Sequence, residues 1–368
     1  MFAIAYDADD GMFPLALGMA SSENYEDWYW FLEKLKGVLD VKEVFIISDR
    51  HQGILRSVSE LFGTGNHAYC YRHANENFSS FLNKQNIRGK KGKEDALLLL
   101  DSIAYARLEI DYNEAFEKLV RFNDNLSKWV AENNPEHWAM SKFLKKRWDK
   151  MTSNIVESFN VWLRDERHQT IYTLLLMHMD KLVAMLDTHM RGTEKWKSVV
   201  GPKTEEKLIS NIMRFGPISV LPYLGGTFKV FAGEIYLVVD INQRTCTCIT
   251  WQMSDLPCSH VCAVIRTLRH DMYDYIDPCF NVSTQHLIYS GQFQPLPTHN
   301  MPKVCEDGSL QDCVGNFFSA LQPPHVKPPP GRPYQRRIES QFTYKRAIHC
   351  SRCNDIGHNR SKCNNPLS

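Results

Sequence analysis

Residues 2–48, which begin with FAIAYDADDGMFPLALG (2–18) and end with VFIIS (44–48), determine the predicted fold class. Two apolar runs separated by an Asp- and Gly-rich turn predict a β-hairpin. Tyr25–Leu39 follows with apolar residues at helical spacing, and 44–48 is an apolar, β-branched run of strand type before a second helical stretch, 54–62. This order of hairpin, helix, strand and helix predicts an α/β sheet with mixed strand directions.

The rest of the chain divides into segments of different character. After a short strand at 67–73, the pattern is helical and polar to about residue 151, with a Gly/Lys loop at 88–93. Helical runs resume at 154–166 and from 171. We therefore predict a core over 1–190 with a helical insertion at 74–151, a helical linker (191–227), a small ββα unit (228–270), a mixed tail (271–322), a Pro-rich basic linker (323–348) and a knuckle (349–364).

Composition limits the classes of function. The 368 residues are 43% hydrophobic and 23% charged, which is typical of a globular protein. The net charge of +1 hides a basic tail, because 327–362 holds nine Lys/Arg against Glu339 and Asp355. Such a tail favours an anionic partner, most commonly nucleic acid. The start lacks a basic signal region and no run approaches the roughly 20 apolar residues that span a bilayer, so we expect an intracellular chain without a membrane partner.

Disulfides are disfavoured inside cells, so the 11 cysteines need another explanation. Four potential ligands form a C-x-C and a C-x-H pair, Cys246, Cys248, Cys258 and His260. Cys246 and Cys248 lie two apart, so on an extended strand both thiols point to one face. Cys258 and His260 follow Pro257 in a turn at the start of a predicted helix. Three sulfurs and one nitrogen suit tetrahedral Zn²⁺ and leave no position open, so the predicted site is structural. Cys262, Cys279, Cys305 and Cys313 lack ligand spacing and are expected to be buried or incidental thiols.

A second motif, C-x2-C-x4-H-x4-C, joins Cys350, Cys353, His358 and Cys363. Gly357 permits the close turn that so small a unit needs. The motif predicts a second structural zinc ion on an otherwise disordered tail. Zinc knuckles of this kind often contact single-stranded nucleic acid, and a protein partner stays an alternative. Ahead of it, Gly-Arg-Pro at 331–333 is either a minor-groove arm or a solvated basic linker that serves as a nuclear import signal.

Together these motifs resemble plant-type Mutator-like (MULE) transposases. The resemblance rests on MFPLALGMASSEN (12–24) with WYWF (28–31), ISDR (47–50), CYRH (70–73) and MTSNIVESFN (151–160). A SWIM-type finger (C-x-C-x9-C-x-H), the Gly-Arg-Pro segment and the CCHC knuckle follow in the family's order. The same core and finger occur in transposase-derived transcription factors of the far-red-impaired-response type.

The resemblance implies a ribonuclease-H-like fold with an Asp-Asp-Glu triad that binds two Mg²⁺ ions. Hard Mg²⁺ takes oxygen ligands, and two such ions can activate the attacking and stabilise the leaving oxygen in phosphodiester cleavage. Asp49 matches the second Asp and Glu157 matches the Glu. Cys70 and His73 match the family's C-x2-H pair, whose role the sequence does not explain.

The first Asp of the triad has no match, because the family carries it on a strand before the hairpin. Asp7, Asp9 and Asp10 lie in the hairpin turn, where Asp is expected for backbone reasons alone. The core is thus an incomplete ribonuclease-H-like fold that lacks its first strand, with an apolar sheet edge exposed.

Several of these residues and their neighbours also have a purely structural explanation. Asp49 could cap the following helix, and Asn154 with Glu157 has capping-box spacing. The aromatic cluster Trp28, Trp30 and Phe31 is most simply core, and the basic runs 88–93 and 145–147 are most simply solvated.

The leading hypothesis is therefore a transposase-derived, zinc-binding nuclear protein that binds DNA through its zinc modules and basic tail and is not a complete catalyst. The alternatives are an active transposase with Mg²⁺ at Asp49 and Glu157, and a domesticated transcription regulator. The oligomeric state is not determined by the sequence.

Overall fold

The computed structural model describes residues 1–318, except 21, 40–43, 86, 88, 144, 165, 167–170, 215–217, 234, 292–302 and 307–308. Contacts divide the chain into two compact units, 1–298 and 299–368. The first unit is a mixed α/β structure of many helices and small sheets. None of the helices in the described ranges is both long and apolar enough to cross a membrane.

The first 70 residues confirm the predicted order of elements. Strands β1 (Phe2–Tyr6) and β2 (Met12–Leu17) form an antiparallel hairpin, and helix α1 covers Tyr25–Leu39 as predicted. Strand β3 (Ile46–Ser48) pairs in parallel with β4 (His67–Tyr69), with helix α2 (Gln52–Phe62) between them. The strand directions are mixed, as expected.

The two strand pairs form separate sheets. Within the described residues, β1 is hydrogen-bonded only to β2 and β3 only to β4. Residues of β1 and β3 both line a cavity of about 990 Å³. The complete ribonuclease-H-like sheet stays a prediction.

Helices α1 and α2 pack on each other through an apolar cluster. Phe31, Leu32, Leu35, Ile54 and Val58 are buried in it. Trp28 is half-buried against this cluster. The prediction that Trp30 is core is wrong, since 48% of this residue is exposed. The two tryptophans are two residues apart, so they point to nearly opposite sides of α1, about 200° apart, because each residue rotates the helix by about 100°.

The helices of the predicted insertion build their own core. Helices α3 (Tyr71–Lys84), α4 (Gly89–Tyr105), α5 (Glu109–Phe122), α6 (Asp124–Glu132) and α7 (Pro135–Trp138) surround a cluster that includes Phe78, Leu100, Leu119 and Trp138. Two local predictions are wrong here. The strand predicted for 67–73 ends at Tyr69, so His73 is helical, and residues 89–93 of the predicted loop are the first turn of α4. Burial of Leu100 and Ile103 outweighs the poor helix propensity of Gly.

Helices α8 (Asn154–Trp162), α9 (Ile171–Thr193) and α10 (Pro202–Arg214) lead to a four-stranded antiparallel sheet. The sheet contains β5 (Ser219–Pro222), β6 (Thr227–Ala232), β7 (Ile235–Asp240) and β8 (Thr245–Cys246), in that order. Strand β5 lies within the segment predicted to be a helical linker. Helices α11 (Thr250–Ser254) and α12 (Ser259–Leu268) follow, and α12 packs on one face of the sheet around Val230, Val239 and Val264.

The tail of the first unit contains helix α13 (Val282–Tyr289), which packs on α9. The second unit has a small sheet of β9 (Lys303–Val304), β10 (Leu310–Gln311) and β11 (Phe317–Phe318) among its described residues. The predicted knuckle ligands, Cys350, Cys353, His358 and Cys363, and the Pro-rich basic linker lie outside the described residues.

A buried histidine makes the strand pair β3–β4 sensitive to pH. His67 is 3% exposed and its Nε2 lies 2.8 Å from Ser48 Oγ. Burial, with a smaller contribution from nearby His137, lowers the pKa of His67 to about 4. The folded state therefore keeps this ring neutral at pH values where the unfolded chain protonates it.

Stability is expected to fall as the pH drops from the ordinary histidine pKa of about 6.5 towards the folded value. The sign follows because the unfolded state binds more protons in this window. Between about pH 7 and about pH 5 the loss attributable to His67 is about 2 kcal/mol. Urea unfolding of wild type and His67→Gln at both pH values measures it. An equal loss in both proteins would show that His67 is not responsible.

Candidate metal centre

The four predicted ligands of the first zinc motif converge in the structure. Cys246 ends strand β8, Cys248 follows it, and Cys258 and His260 lie at the start of α12. The three Sγ atoms and a ring nitrogen of His260 all lie within 4.8 Å of one another. No other group of three or more such ligands occurs in the part of the chain that the structure describes.

The distances fit a tetrahedral zinc site. Bonds of about 2.3 Å to sulfur and about 2.0–2.1 Å to nitrogen give tetrahedron edges of about 3.8 Å between sulfurs and about 3.6 Å between sulfur and nitrogen. The Sγ atoms of Cys248 and Cys258 are 3.5 Å apart. His260 Nδ1 lies 3.9 Å from Cys246 Sγ and 3.7 Å from Cys258 Sγ. Three thiolates and one imidazole are a donor set for structural zinc rather than for Mg²⁺ or Ca²⁺.

The three thiols of the cluster form hydrogen bonds with one another. Hydrogen bonds from Cys246, and next from Cys258, lower the pKa of Cys248. The hydrogen bond that Cys246 donates to Cys248 correspondingly raises the pKa of Cys246. Zinc binding releases the thiol protons, because a coordinating thiol is deprotonated.

A glutamine that the sequence did not single out fixes the first pair. Gln252 on α11 accepts a hydrogen bond from Cys246 N at 3.2 Å and donates one to Cys246 O at 2.9 Å. Strand β8 ends at Cys246, and Ile249 has a positive φ of 61°, so the chain leaves the strand earlier than expected. This turn, rather than an extended C-x-C, aims Cys248 at the cluster. The buried Trp251 anchors the same turn by donating to Tyr275 O at 3.3 Å.

Comparison with protein families matches two regions. Residues 1–77 match the MULE transposase domain, and residues 228–268 match the SWIM zinc finger. The chain carries both domains. The resemblance to MULE transposases and the SWIM finger are thus confirmed over these ranges, and the four converged ligands lie within the range of the SWIM finger. The plant type and the CCHC knuckle stay predictions. No curated protein and no solved structure matches the chain.

The two predicted catalytic carboxylates border the same cavity. Asp49 and Glu157 both line the cavity of about 990 Å³ beside β1 and β3, together with His73. Glu157 forms an ion pair with Arg72 of α3, which also lies 3.5 Å from Glu76. Residues of the family motif thus line one cavity. Their catalytic role stays a prediction.

The structure does not support the helix-capping alternatives for Asp49 and Glu157. The N-cap of α2 is His51, two residues after Asp49, although Asp49 Oδ1 accepts a hydrogen bond from His51 N at 3.2 Å. Helix α8 begins at Asn154 with Ser153 as its N-cap, which is one residue too early for the predicted capping box. Glu157 therefore lies in the first turn of α8 and faces Arg72 across the cavity edge.

The C-x2-H pair has a structural role that the sequence did not reveal. Cys70 is buried and its Sγ accepts a hydrogen bond from Ser153 N at 3.2 Å, while Tyr71 N donates to Met151 O at 2.8 Å. Burial raises the pKa of Cys70, but hydrogen bonds with His73 and Ser153 outweigh it and the pKa is about 7. Cys70 thus fastens the start of α3 to the start of α8, and so positions Arg72 beside Glu157.

The hairpin turn holds three aspartates in structural contacts. Asp7 Oδ1 accepts from the backbone N of Asp9 and Gly11, and Asp7 Oδ2 accepts from Gln285 and Tyr289. Asp9 Oδ1 accepts from Thr204 N in the first turn of α10 at 2.9 Å. Asp10 pairs with Lys150 and Lys207. The turn therefore connects the MULE domain to helices that flank the SWIM finger.

Proposed function

We propose that this protein binds DNA in the nucleus through its zinc modules and basic tail, and that it is not a complete transposition catalyst. The converged Cys246, Cys248, Cys258 and His260 cluster within the SWIM finger carries the proposal. Zinc at this site would be structural, so it would stabilise a binding surface rather than activate a substrate. The predicted knuckle ligands, Cys350, Cys353, His358 and Cys363, would hold a second zinc ion.

The contacts of the acidic residues support the proposal that the protein is not a complete transposition catalyst. Two-metal phosphodiester chemistry needs carboxylates free to bind both ions. Asp7, Asp9 and Asp10 bind backbone amides and side chains in the hairpin turn, which favours a structural role for them over that of the first Asp of the family triad. Glu157 is paired with Arg72, which offers a permanent positive charge at the place where a cation would bind.

A nicking assay tests the catalytic part of the proposal. Supercoiled plasmid is incubated with the protein and Mg²⁺, and the same reaction is run with Asp49→Ala and Glu157→Ala. We expect no Mg²⁺-dependent nicking by wild type above the level of the two variants. Nicking by wild type that both substitutions abolish would support the alternative, an active metal-dependent transposase.

The DNA-binding part is tested separately, by fluorescence anisotropy of labelled DNA with the zinc-loaded chain. Affinity should fall steeply with salt, because contacts between Lys or Arg and phosphates release counterions. Binding without salt dependence, or none at all, would contradict this part. Duplex binding confined to particular sequences would instead favour the domesticated regulator.

A further inference from the structure

The SWIM sheet has one face that α12 does not cover. Strands β5, β6 and β7 alternate in the usual way, so Phe228, Val230 and Val239 point into the core beneath α12. The opposite side chains, here called the outer face, are Leu221, Lys229, Phe231, Tyr236 and Val238. Apart from half-buried Lys229, they are exposed apolar or aromatic side chains.

Two aromatic rings stand side by side on the outer face. Phe231 and Tyr236 are directly opposite each other in the β6–β7 register, and they are 38% and 59% exposed. Lys229 lies on the same face of β6, two residues from Phe231, and is paired with Val238. Residues in such cross-strand positions lie close enough for their side chains to form one continuous surface.

The outer face carries a lysine directly beside its two rings. Lys229 Nζ lies 3.8 Å from the centre of the Tyr236 ring and 5.3 Å from that of Phe231. Within the described residues of β5, β6 and β7, the only other charged side chain is Asp240 at the end of β7. Its Oδ1 accepts hydrogen bonds from Asn242 N and Gln243 N in the following turn. By the same alternation Asp240 lies on the side of the outer face, but one of its oxygens is held by this turn, and Lys229 forms no ion pair with a carboxylate of the described residues.

We propose that the outer face binds unpaired bases of single-stranded nucleic acid, with Phe231 and Tyr236 as stacking platforms and Lys229 as a phosphate contact. The inference rests on the proposed nucleic-acid binding and names the surface and the form of the ligand. Aromatic rings beside a cation are the means by which single strands are held without sequence preference. Lysine is depleted from the cores of protein–protein interfaces, which argues against a protein docking on these residues.

The test compares the affinity of the full zinc-loaded chain for oligothymidine and for a duplex of equal length. We expect Phe231→Ala and Tyr236→Ala each to weaken single-strand binding about 5- to 150-fold, the range that one base–aromatic stack gives. Duplex affinity should change far less. Lys229→Gln should lower the slope of log affinity against log salt by about 0.7. Tyr172→Ala is the matched control, because Tyr172 is a tyrosine on α9 that is 52% exposed, close to the 59% of Tyr236.

The outcomes separate this inference from the proposed function. Zinc content equal to that of wild type verifies that each variant is folded at the finger. If wild type binds DNA and the two ring variants bind single strands as tightly as Tyr172→Ala, the outer face is not the binding surface, while DNA binding stands. If wild type binds neither ligand, both fail. Ring variants that alter only self-association, measured by light scattering, would show an interface with protein and overturn the inference.

Discussion

Cys258→Ser is expected to lower the zinc content by about one ion per chain and to unfold the SWIM finger locally. Cys258 is buried and its Sγ contacts both Cys248 and His260, so serine removes a thiolate at the centre of the cluster. Structural zinc contributes about 10–16 kcal/mol of apparent binding free energy in isolated fingers. The finger has its own apolar core around Val230 and Val264, which is too small to replace a contribution of that size.

Elemental analysis measures the zinc, and hydrogen exchange with mass spectrometry locates the unfolding. Amides of β6, β7 and α12 should lose protection in Cys258→Ser, while those of α3 and α4 should keep it, because the insertion has a separate core. Cys279→Ser is the control, since Cys279 is exposed and lies outside the cluster. The zinc assignment is wrong if Cys258→Ser keeps both the wild-type zinc content and the protection of the finger.

Short-range sequence patterns predicted the features that depend on short-range interactions, namely a helix from its apolar spacing and a metal site from its ligand spacing. Helix α1 covers the predicted residues Tyr25–Leu39, because its apolar side chains recur at helical spacing and form one buried face. The four SWIM ligands were predicted because metal coordination requires particular side chains at short spacing. The role of Gln252 was missed, since a glutamine inside a short loop carries no pattern of its own.

Contacts between distant residues could not be predicted in this way. The hydrogen bond between Gln285 and Asp7 spans 278 residues, and the contact between Arg72 and Glu157 spans 85. The sequence identified Asp7 as a turn residue, which its bonds to Asp9 N and Gly11 N confirm. Its second carboxylate oxygen faces α13, and nothing in the periodicity of either segment indicates that contact. Pairing of this kind depends on tertiary packing rather than on local preference.

Asp7→Asn is expected to destabilise the first unit by about 2–4 kcal/mol at neutral pH, within the range for breaking buried hydrogen bonds to a charged group. The carboxylate is buried and accepts from Gln285 Nε2 and Tyr289 OH, both at 2.9 Å, besides the two turn amides. An amide NH₂ in place of one oxygen would face donors. The turn has little room to adjust, because Gly201 Cα packs so closely on Asp9 that a Cβ there would lie 2.4 Å from the Asp9 carboxyl carbon.

The pH dependence distinguishes a charged hydrogen-bond acceptor from a merely well-packed side chain. Burial by itself raises the pKa of Asp7, but hydrogen bonds from His189, Gln285 and the backbone of the turn outweigh it, so the pKa lies well below its ordinary value. A group with a depressed folded pKa stabilises the protein above its unfolded pKa of about 3.9 and loses that contribution as the pH falls further. The difference in unfolding free energy between wild type and Asp7→Asn, measured in urea, should therefore be constant near neutral pH and shrink below about pH 4.

Asp187→Asn, which removes only an exposed pair with Arg191, should cost about 0.5 kcal/mol or less throughout. If Asp7→Asn is as mild as this control, the turn is not what joins the MULE domain to α13, and the three aspartates again become candidates for a role in binding cations.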